Sequence, residues 1–264
     1  MEKDALKESV VRSLDGSSPG IFPYLPYILQ DLWELGADPS TVLRLVKQHL
    51  QKKPLRILDA GCGKGAVSIR LASELDCRIT GIDAMPEFIE VARAMAEKKG
   101  LSNYCNFEVG DIRKEIPRIG KHDLVIMGAV GNVLGNVLET LSFLRKALDS
   151  PGYIILDDAW LEDDSQVKYD RCLRKSDFYA QIGQAGFEIV EEVIFDKESV
   201  KESEKYMFEP MKKRAEELME MYPEKKLLFR NYLENQEYEF RLLLTHLTTA
   251  TWLLKDNKTE LNTP

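Results

Sequence analysis

The chain has few of the residues that bind metal ions or build disulfide frameworks. Its 264 residues include four cysteines and three histidines. They are Cys62, Cys77, Cys105, Cys172, His49, His122 and His246. The cysteines form no Cys-x-x-Cys pair, and the dispersed histidines lack the spacing of zinc ligands. The sequence therefore predicts reduced thiols and no metal site.

Long apolar segments are also missing. No uninterrupted apolar stretch approaches the ~20 residues of a membrane-spanning helix. The first ten residues, MEKDALKESV, contain no apolar core of a signal peptide. We therefore expect a soluble, cytoplasmic protein without membrane contact.

Basic residues are fewer than acidic residues. Lys and Arg number 36 against 44 for Asp and Glu, which gives a net charge of −8. Such a chain is repelled by phosphate backbones, so we do not expect nucleic acid as a partner. The 44% of apolar and 30% of charged residues are typical of a globular protein with a sizeable core.

Apolar periodicity predicts three helices ahead of any strand, at Ala5–Leu14, Pro23–Leu35 and Ser40–Leu50. Apolar strands then alternate with helices, which is typical of a parallel sheet with helical crossovers. The seven predicted strands are Leu55–Leu58, Arg78–Ile82, Asn106–Val109, Leu124–Met127, Tyr153–Leu156, Phe187–Phe195 and Thr248–Leu254. The expected fold class is therefore α/β, with a doubly wound, mostly parallel, seven-stranded sheet.

This pattern divides the chain into four parts. Residues 1–52 are predicted to form an N-terminal helical cap, 53–195 a ligand-binding core, 196–247 a helical insertion, and 248–264 the last strand and a polar tail. The insertion contains two predicted helices, Lys197–Met221 and Glu224–His246, separated by Pro223. We expect the N-terminal helices and the inserted helices to cover the carboxyl edge of the sheet together and to form the pocket for a substrate. Formation of a homodimer is the alternative explanation of their apolar residues.

The first predicted strand leads directly into a glycine-rich turn and a helix, with the sequence LRILDAGCGKG from Leu55 to Gly65. Glycines let a ligand approach the backbone, beside the partial positive charge of a helix N-terminus. Gly61, Gly63 and Ala66 also satisfy the Gly-x-Gly-x-x-Ala pattern of dinucleotide sites. A dinucleotide therefore remains an alternative ligand.

Carboxylates follow at the ends of three successive predicted strands. Asp59 precedes the first glycine and suits a ligand with an ammonium group, such as the methionyl end of S-adenosylmethionine, although it could instead cap the next helix. Asp83 ends the second strand, where a carboxylate can accept both hydroxyls of a ribose. Asp111 follows the third strand and could accept the amino group of adenine. Three acids at one sheet edge are more specific than any one of them.

With these motifs, the chain resembles the class I S-adenosylmethionine-dependent methyltransferase family from about Leu55 to Phe195, with a last strand at Thr248–Leu254. The resemblance implies S-adenosylmethionine as the cofactor and a Rossmann-like methyltransferase core. It implies that Asp59, Gly61 and Gly63 contact the methionine part of the cofactor and that Asp83 contacts its ribose. It also implies that Asp111 and Ile112 contact the adenine, and that Gly128 and Val130 line the side of the cofactor that carries the methyl group. Cys62, Ala84 and Met85 complete the predicted cofactor set, with core packing an equal alternative for Met85.

Two differences between this sequence and known methyltransferase subfamilies restrict the class of molecule that could accept the methyl group. Base methyltransferases carry Asn or Asp, two prolines and an aromatic after the fourth strand, whereas this chain has MGAVGN from Met127 to Asn132. Asp157 and Asp158 resemble the acids of metal-dependent catechol-type enzymes, but the matching fourth-strand acid is missing. These two acids could receive a cationic substrate or a proton, or serve only in capping or solvation. Metal-free transfer is the resulting prediction.

The sequence thus predicts an enzyme that transfers a methyl group to a small-molecule acceptor. The candidate catalytic residues are Asp157, Asp158 and Tyr24, and no histidine is expected to be essential. Tyr24, Tyr27, Trp33 and Trp160 could wall the acceptor pocket or simply pack in the core. A non-catalytic S-adenosylmethionine-binding module and an NAD-dependent oxidoreductase, with Lys64 facing a pyrophosphate, remain the alternatives.

Overall fold

Seven strands form one sheet in the computed structural model, which describes residues 2–257. The strands are β1 Leu55–Ala60, β2 Cys77–Asp83, β3 Cys105–Val109, β4 His122–Gly128, β5 Leu148–Leu161, β6 Phe187–Ile194 and β7 Leu247–Asp256. Their order is β3-β2-β1-β4-β5-β7-β6, and only β7 runs antiparallel to its neighbours. The predicted doubly wound, mostly parallel sheet is confirmed. The order reverses between β1 and β4, which opens a crevice at the carboxyl ends of these strands.

Ten α-helices accompany the sheet within the described residues. They are α1 Glu2–Ser13, α2 Leu25–Ile28, α3 Pro39–His49, α4 Ala66–Glu74, α5 Pro86–Lys98, α6 Ile112–Glu115, α7 Val137–Leu144, α8 Lys175–Ala185, α9 Lys197–Met221 and α10 Lys226–Thr245. Short 3-10 turns lie at Pro19–Tyr24, Asn132–Leu134, Arg145–Ala147 and Pro223–Lys225. None of the described helices combines the length and the apolar character needed to cross a membrane.

Apolar layers cover both faces of the sheet. Helices α3, α4 and α5 pack on one face through one buried cluster, and α7 and α8 pack on the other through a second. Strands β1 and β4 lie at the centre, and nearly every residue in them is buried. A strand buried on both faces is mostly apolar, which explains the runs Ile57–Leu58 and Leu124–Met127, and the polar residues of β1 and β4 lie near the strand ends.

The predicted helix Pro23–Leu35 is wrong. The chain forms the 3-10 turn Pro19–Tyr24 and the short helix α2, and then runs irregularly to α3. The Leu29 carbonyl accepts a turn-type hydrogen bond from the Leu32 N–H at 3.1 Å, and Lys64 Nζ donates to the carbonyl oxygens of Leu29 and Leu32 at 2.6 and 2.5 Å. A distant side chain therefore supplements the backbone donors where the predicted helix stops.

Strand β5 is much longer than the predicted Tyr153–Leu156. It pairs antiparallel with β7 along its length, as far as Leu161 opposite Leu247, whereas its parallel pairing with β4 stops at Gly128 opposite Asp157. Asp157 and Asp158 therefore lie beside the end of β4, within β5 rather than after it. Their side chains still reach the carboxyl edge of the parallel sheet.

Helices α9 and α10 lie together and contact the N-terminal helices. A buried cluster joins the two helices to the first part of the chain; its members include Val11, Leu25, Ile28, Met211, Leu218 and Phe229. The prediction of the second insertion helix from Glu224 is close, since the 3-10 turn Pro223–Lys225 leads directly into α10. The polar tail beyond residue 257 lies outside the described residues.

Candidate functional site

A cavity, here called the edge cavity, lies in the crevice at the carboxyl ends of β1, β2, β3 and β4. All eleven residues of the predicted cofactor set line it. They are Asp59, Gly61, Cys62, Gly63, Asp83, Ala84, Met85, Asp111, Ile112, Gly128 and Val130. Residues from α1 and from the segment 33–37 close the cavity on the other side. The structure thus brings the predicted residues together, and their contacts with a ligand stay a prediction.

The glycine-rich turn after β1 adopts the conformation that its glycines allow. Gly61 has a φ of +80°, in the left-handed region that side chains disfavour. A Cβ atom at Gly61 would lie 2.6 Å from Cγ2 of Val130. The turn therefore needs glycine both for its backbone conformation and for its contact with the loop after β4.

Asp83 binds backbone donors with both of its carboxylate oxygens. Oδ2 accepts a hydrogen bond from the Gly63 N–H and Oδ1 one from the Met85 N–H, each at 2.9 Å. Burial raises the pKa of Asp83, while these backbone donors act to lower it. The two bonds fix the carboxylate at the wall of the edge cavity, and each oxygen retains a lone pair for a ligand hydroxyl. Met85 is itself almost completely buried, so it is a core residue as well as a lining residue.

Asp59 is a buried carboxylate that the described ion pairs do not include. Its side chain lines the edge cavity, and Oδ2 accepts a hydrogen bond from the Ser68 hydroxyl of α4 at 2.6 Å. Burial raises the pKa of Asp59 to about 6, and the charge of Asp83 adds to the effect. The carboxylate thus supports α4 and also offers a buried negative charge to a cationic ligand group, so both interpretations of Asp59 find support.

Asp111 is already engaged by its neighbour. Its Oδ1 accepts hydrogen bonds from the Arg113 N–H at 3.0 Å and from Arg113 Nε at 2.8 Å. Burial alone would raise the pKa of Asp111, but the hydrogen bonds and charge of Arg113 hold it below its usual value. A bond from Asp111 to an adenine amino group would therefore compete with Arg113.

Lys64 has a structural role that the sequence analysis did not predict. It is 4% exposed, and its ammonium donates to the carbonyl oxygens of Leu29, Gln30 and Leu32 at 2.6, 3.3 and 2.5 Å. These bonds use all three of its donors. Burial lowers the pKa of Lys64 to about 8. Because its ammonium is directed at the N-terminal segment, Lys64 is not available to face a pyrophosphate.

A second and larger cavity adjoins the first. This cavity, here called the acidic chamber, has a volume of about 730 Å³ and lies between the sheet edge, the end of α1 and the helices α9 and α10. Both cavities are lined by Ser13, Leu14, Leu35, Gly36 and Ala129. Gly36 lies close to the loop after β4, since a Cβ atom on it would meet the Gly128 carbonyl oxygen at 2.9 Å. The two cavities therefore meet next to the end of β4.

Asp157 and Asp158 both line the acidic chamber. Asp157 Oδ2 accepts a hydrogen bond from the Thr251 hydroxyl, and Asp158 Oδ1 accepts one from the Ala159 N–H at 2.8 Å. Burial raises the pKa of Asp157 to about 7 and that of Asp158 to about 6. Carboxyl groups with pKa values this close to neutral can both release and accept protons at physiological pH.

Most of the predicted aromatic wall lies elsewhere. The Tyr24 hydroxyl accepts a hydrogen bond from Lys225 Nζ at 2.6 Å, and Tyr24 lines neither cavity. Trp160 is fully buried in the core, and Tyr27 donates to Glu217. Trp33 does line the edge cavity. Tyr24 is therefore no longer a catalytic candidate, because its ring packs against Tyr222 and Phe229 in the helical cap.

Sequence reasoning also missed six of the eight acids that line the chamber, among them Glu204 on α9 and Glu239 on α10. A signal for Glu204 was present: it follows Val200 by four positions, on the stripe of α9 that also buries Met211, Ala215 and Leu218. A carboxylate in an apolar stripe of a helix is unusual unless it has a partner. Within residues 2–257, no group of three or more His, Cys, Asp or Glu side chains is placed to hold a metal ion.

Comparisons with known proteins agree with this geometry. A family model described as a methyltransferase domain matches residues 51–226. An S-adenosylmethionine-dependent methyltransferase from Geobacter sulfurreducens, crystallised with S-adenosyl-L-homocysteine, superimposes with a TM-score of 0.71 at 19% identity and covers 87% of this chain and 96% of its own. A counterpart from Thiobacillus denitrificans, with the same ligand, gives 0.71 at 20% identity, covering 88% and 97%. At this identity the likeness shows the fold.

Curated relatives match over shorter segments. The ubiquinone biosynthesis O-methyltransferase of Methylocella silvestris is 35% identical over 145 residues, which is 53% of this chain and 54% of that protein. The ajmaline N-methyltransferase of Rauvolfia serpentina is 31% identical over 101 residues, 35% of each chain. The release factor glutamine methyltransferase of Escherichia coli is 25% identical over 172 residues, 52% of this chain and 62% of its own. The chain thus spans about a third to three-fifths of the length of these relatives.

Proposed function

The chain belongs to the class I S-adenosylmethionine-dependent methyltransferase family, and on that premise we propose that it methylates a small-molecule acceptor bound in the acidic chamber. The observation that carries this proposal is that two cavities meet at the end of β4; we assign the edge cavity to the cofactor and the acidic chamber to the acceptor. A chamber of about 730 Å³ falls within the range of small-molecule sites.

The residues of the edge cavity fit the cofactor group by group. Asp83, fixed by two backbone donors, suits a ribose diol, and Asp59 offers a buried negative charge to the ammonium of the methionyl part. Gly61 has a left-handed backbone conformation and no side chain, so the cofactor can approach the backbone of the turn closely. When bound, S-adenosylmethionine supplies an activated methyl group on a positively charged sulfur. Gly128 and Val130 are proposed to lie on the side of that methyl group.

The chain itself contributes position, exclusion of water and a proton acceptor. The segment 33–37 and α1 cover the edge cavity, and α9 and α10 cover the acidic chamber, so the acceptor reacts in a site with little water. Asp157 and Asp158 lie at the end of β4, where a proton lost by the acceptor can be taken up. Their raised pKa values suit this task at neutral pH.

The experiment that tests the function separates acceptor classes. The purified full chain is incubated with methyl-labelled S-adenosylmethionine and, in parallel, with a low-mass metabolite extract and with the dialysed protein fraction of the same cells. We expect label in the metabolite extract together with formation of S-adenosylhomocysteine. Label confined to the protein fraction would favour a protein acceptor, as the name of the release factor relative describes for that enzyme. Label in neither fraction would contradict the proposal.

Transfer is expected to be independent of metal ions. The hydrogen bonds of Asp157 and Asp158 go to Thr251 and to the backbone, and the described residues contain no metal-binding cluster. Turnover should therefore be unchanged within about 20% after treatment with a chelator, because the alignment of the two reactants can by itself support a displacement at carbon. Loss of activity with the chelator and recovery with Mg²⁺ would instead make the two aspartates ligands.

The helices α9 and α10 are expected to act as a lid. Tyr232 and Phe240 of α10 face the acidic chamber, whereas Leu227 and Tyr238 are exposed, at 65% and 46%. Limited proteolysis within residues 197–245 should slow several-fold when cofactor and acceptor bind, since a closed lid opens less often. The alternative is a dimer through the exposed face. Protection that rises with protein concentration and ignores ligands would support that dimer and contradict the lid.

A further inference from the structure

The acidic chamber has an unbalanced charge. Eight carboxylates line it, and the single guanidinium among its described lining residues, that of Arg171, is bound to Asp15 at 2.6 Å. No lysine or histidine lies among those lining residues. Glu34 and Glu202 are exposed, but the carboxylates that the chamber shields from solvent repel one another and lose hydration, which raises the free energy of the empty chamber. A bound cation would relieve this cost.

Glu204 is the most unfavourably placed of these carboxylates. It projects from α9, is 7% exposed, and its Oε2 has no hydrogen-bond donor among the described residues. Burial raises the pKa of Glu204 to about 8, and the charges of Asp15 and Glu239 add to the effect. Buried polar groups in native proteins are nearly always paired. The missing partner of Glu204 points to a ligand group that donates hydrogen bonds and carries positive charge.

The acids near Glu204 come from separate elements of the fold. Asp15 follows α1, Glu204 lies on α9 and Glu239 on α10, where it accepts a hydrogen bond from the Tyr169 hydroxyl. The remaining wall of the chamber is largely apolar and includes Leu29, Leu32, Met207, Met211, Phe240 and Leu243. A ligand that fits must therefore combine a cationic group with a larger apolar body. An ammonium group with its three donors matches an unpaired carboxylate better than a neutral hydroxyl does.

We propose that the acceptor, on the premise of the function proposed above, is an amphiphilic amine that binds as a cation, with its ammonium beside Glu204 and Glu239 and its apolar skeleton against the methionines of α9. A neutral molecule of the same shape would give Glu204 no positively charged partner. The acceptor class is thus selected by charge as well as by size.

Matched pairs of ligands test this selection. Isothermal titration calorimetry on the full chain saturated with S-adenosylhomocysteine compares tryptamine with tryptophol and phenethylamine with phenethyl alcohol. We expect each amine to bind about tenfold or more tightly than its alcohol, the ratio typical of a hydrogen bond to a buried charge. In Glu204→Gln the ratio should fall towards one. Glu209→Gln is the control: it removes an exposed carboxylate of the same helix that lines neither cavity, and it should leave the affinity ratio of amine to alcohol unchanged.

Three results would overturn the amine assignment. They are equal binding of amine and alcohol, absence of binding by both amines up to millimolar concentration, and a preference that survives in both Glu204→Gln and Glu239→Gln. Glu204→Gln keeps the shape of the side chain and removes a carboxyl group whose Oε2 has no partner among the described residues, so it should fold, which a thermal melt verifies. S-adenosylhomocysteine is titrated first in the same cell. Its failure to bind contradicts the proposed function, whereas its binding without amine preference contradicts only the acceptor class.

Discussion

Lys64→Met should lower the free energy of unfolding by about 2–4 kcal/mol, the largest loss expected from a single substitution near the site. Methionine keeps the apolar stem of the side chain but has no ammonium. The carbonyl oxygens of Leu29, Gln30 and Leu32 would then lose their shared donor inside the protein. The Leu29 carbonyl would keep the Leu32 N–H and Gln30 is exposed, so most of the loss comes from the Leu32 carbonyl in its buried residue, which would pay its full desolvation cost.

Urea denaturation of the two proteins at pH 7 measures this loss. Lys98→Met, an exposed lysine of α5, is the matched control and should change stability by less than about 0.5 kcal/mol. Because Leu29 and Leu32 line the acidic chamber and Trp33 and Leu35 line the edge cavity, the destabilised variant should also bind cofactor more weakly. A Lys64→Met protein as stable as the parent would show that water satisfies these carbonyls.

Asp83→Ala should weaken cofactor binding by about 1.5–3 kcal/mol, or roughly 10- to 150-fold in Kd, the range for losing a charged hydrogen-bond acceptor. The carboxylate lies at the end of β2 and is held at the wall of the edge cavity by the N–H groups of Gly63 and Met85. The substitution removes an acceptor for the ribose and frees the turn that carries Gly63. Calorimetry with S-adenosylhomocysteine gives the affinity.

Asp76→Ala provides the control for Asp83→Ala. Asp76 is an exposed aspartate just before the other end of the same strand, so it tests the loss of one negative charge without the loss of a site residue. Circular dichroism and a thermal melt establish that both variants are folded. A folded Asp83→Ala protein with unchanged affinity would remove the ribose assignment.

The sheet and the wall of the edge cavity could be predicted because both depend on local chemistry. Buried parallel strands are continuous apolar runs, and the turn after β1 needs glycine at Gly61. Once the strand order is doubly wound, residues at the strand ends must meet at one edge. Asp59, Asp83 and Asp111 therefore reached one cavity from three distant places in the sequence.

The acidic chamber could not be predicted in the same way, because it depends on contacts between distant segments. The helix expected at Pro23–Leu35 is replaced by an irregular segment whose carbonyls bind Lys64, a residue that the sequence places in the glycine-rich turn. Tyr24 has a plausible position in the sequence, but its partner Lys225 is about two hundred residues away. Glu239 resembles a solvated residue until α10 encloses the chamber, and the position of Glu204 in the apolar stripe of α9 does not show which residues surround it.

Helices α9 and α10 are inserted between two neighbouring antiparallel strands, so the wall that they give to the acidic chamber can change while the parallel strands stay the same. Ile194 at the end of β6 is paired with Ala250 near the start of β7, so the inserted segment leaves and rejoins the sheet at almost the same point. An insertion with adjacent ends can be lengthened, shortened or exchanged at little cost in chain entropy, since the strands on either side keep their register. Its exchange leaves β1, β2 and β3, and the carboxylates at their ends, in place. On the function proposed above, a different helical hairpin grafted between β6 and β7 should change the acceptor that the enzyme takes, provided that the hairpin restores the buried contacts of α9 and α10 with the N-terminal segment, Met85 and Phe88.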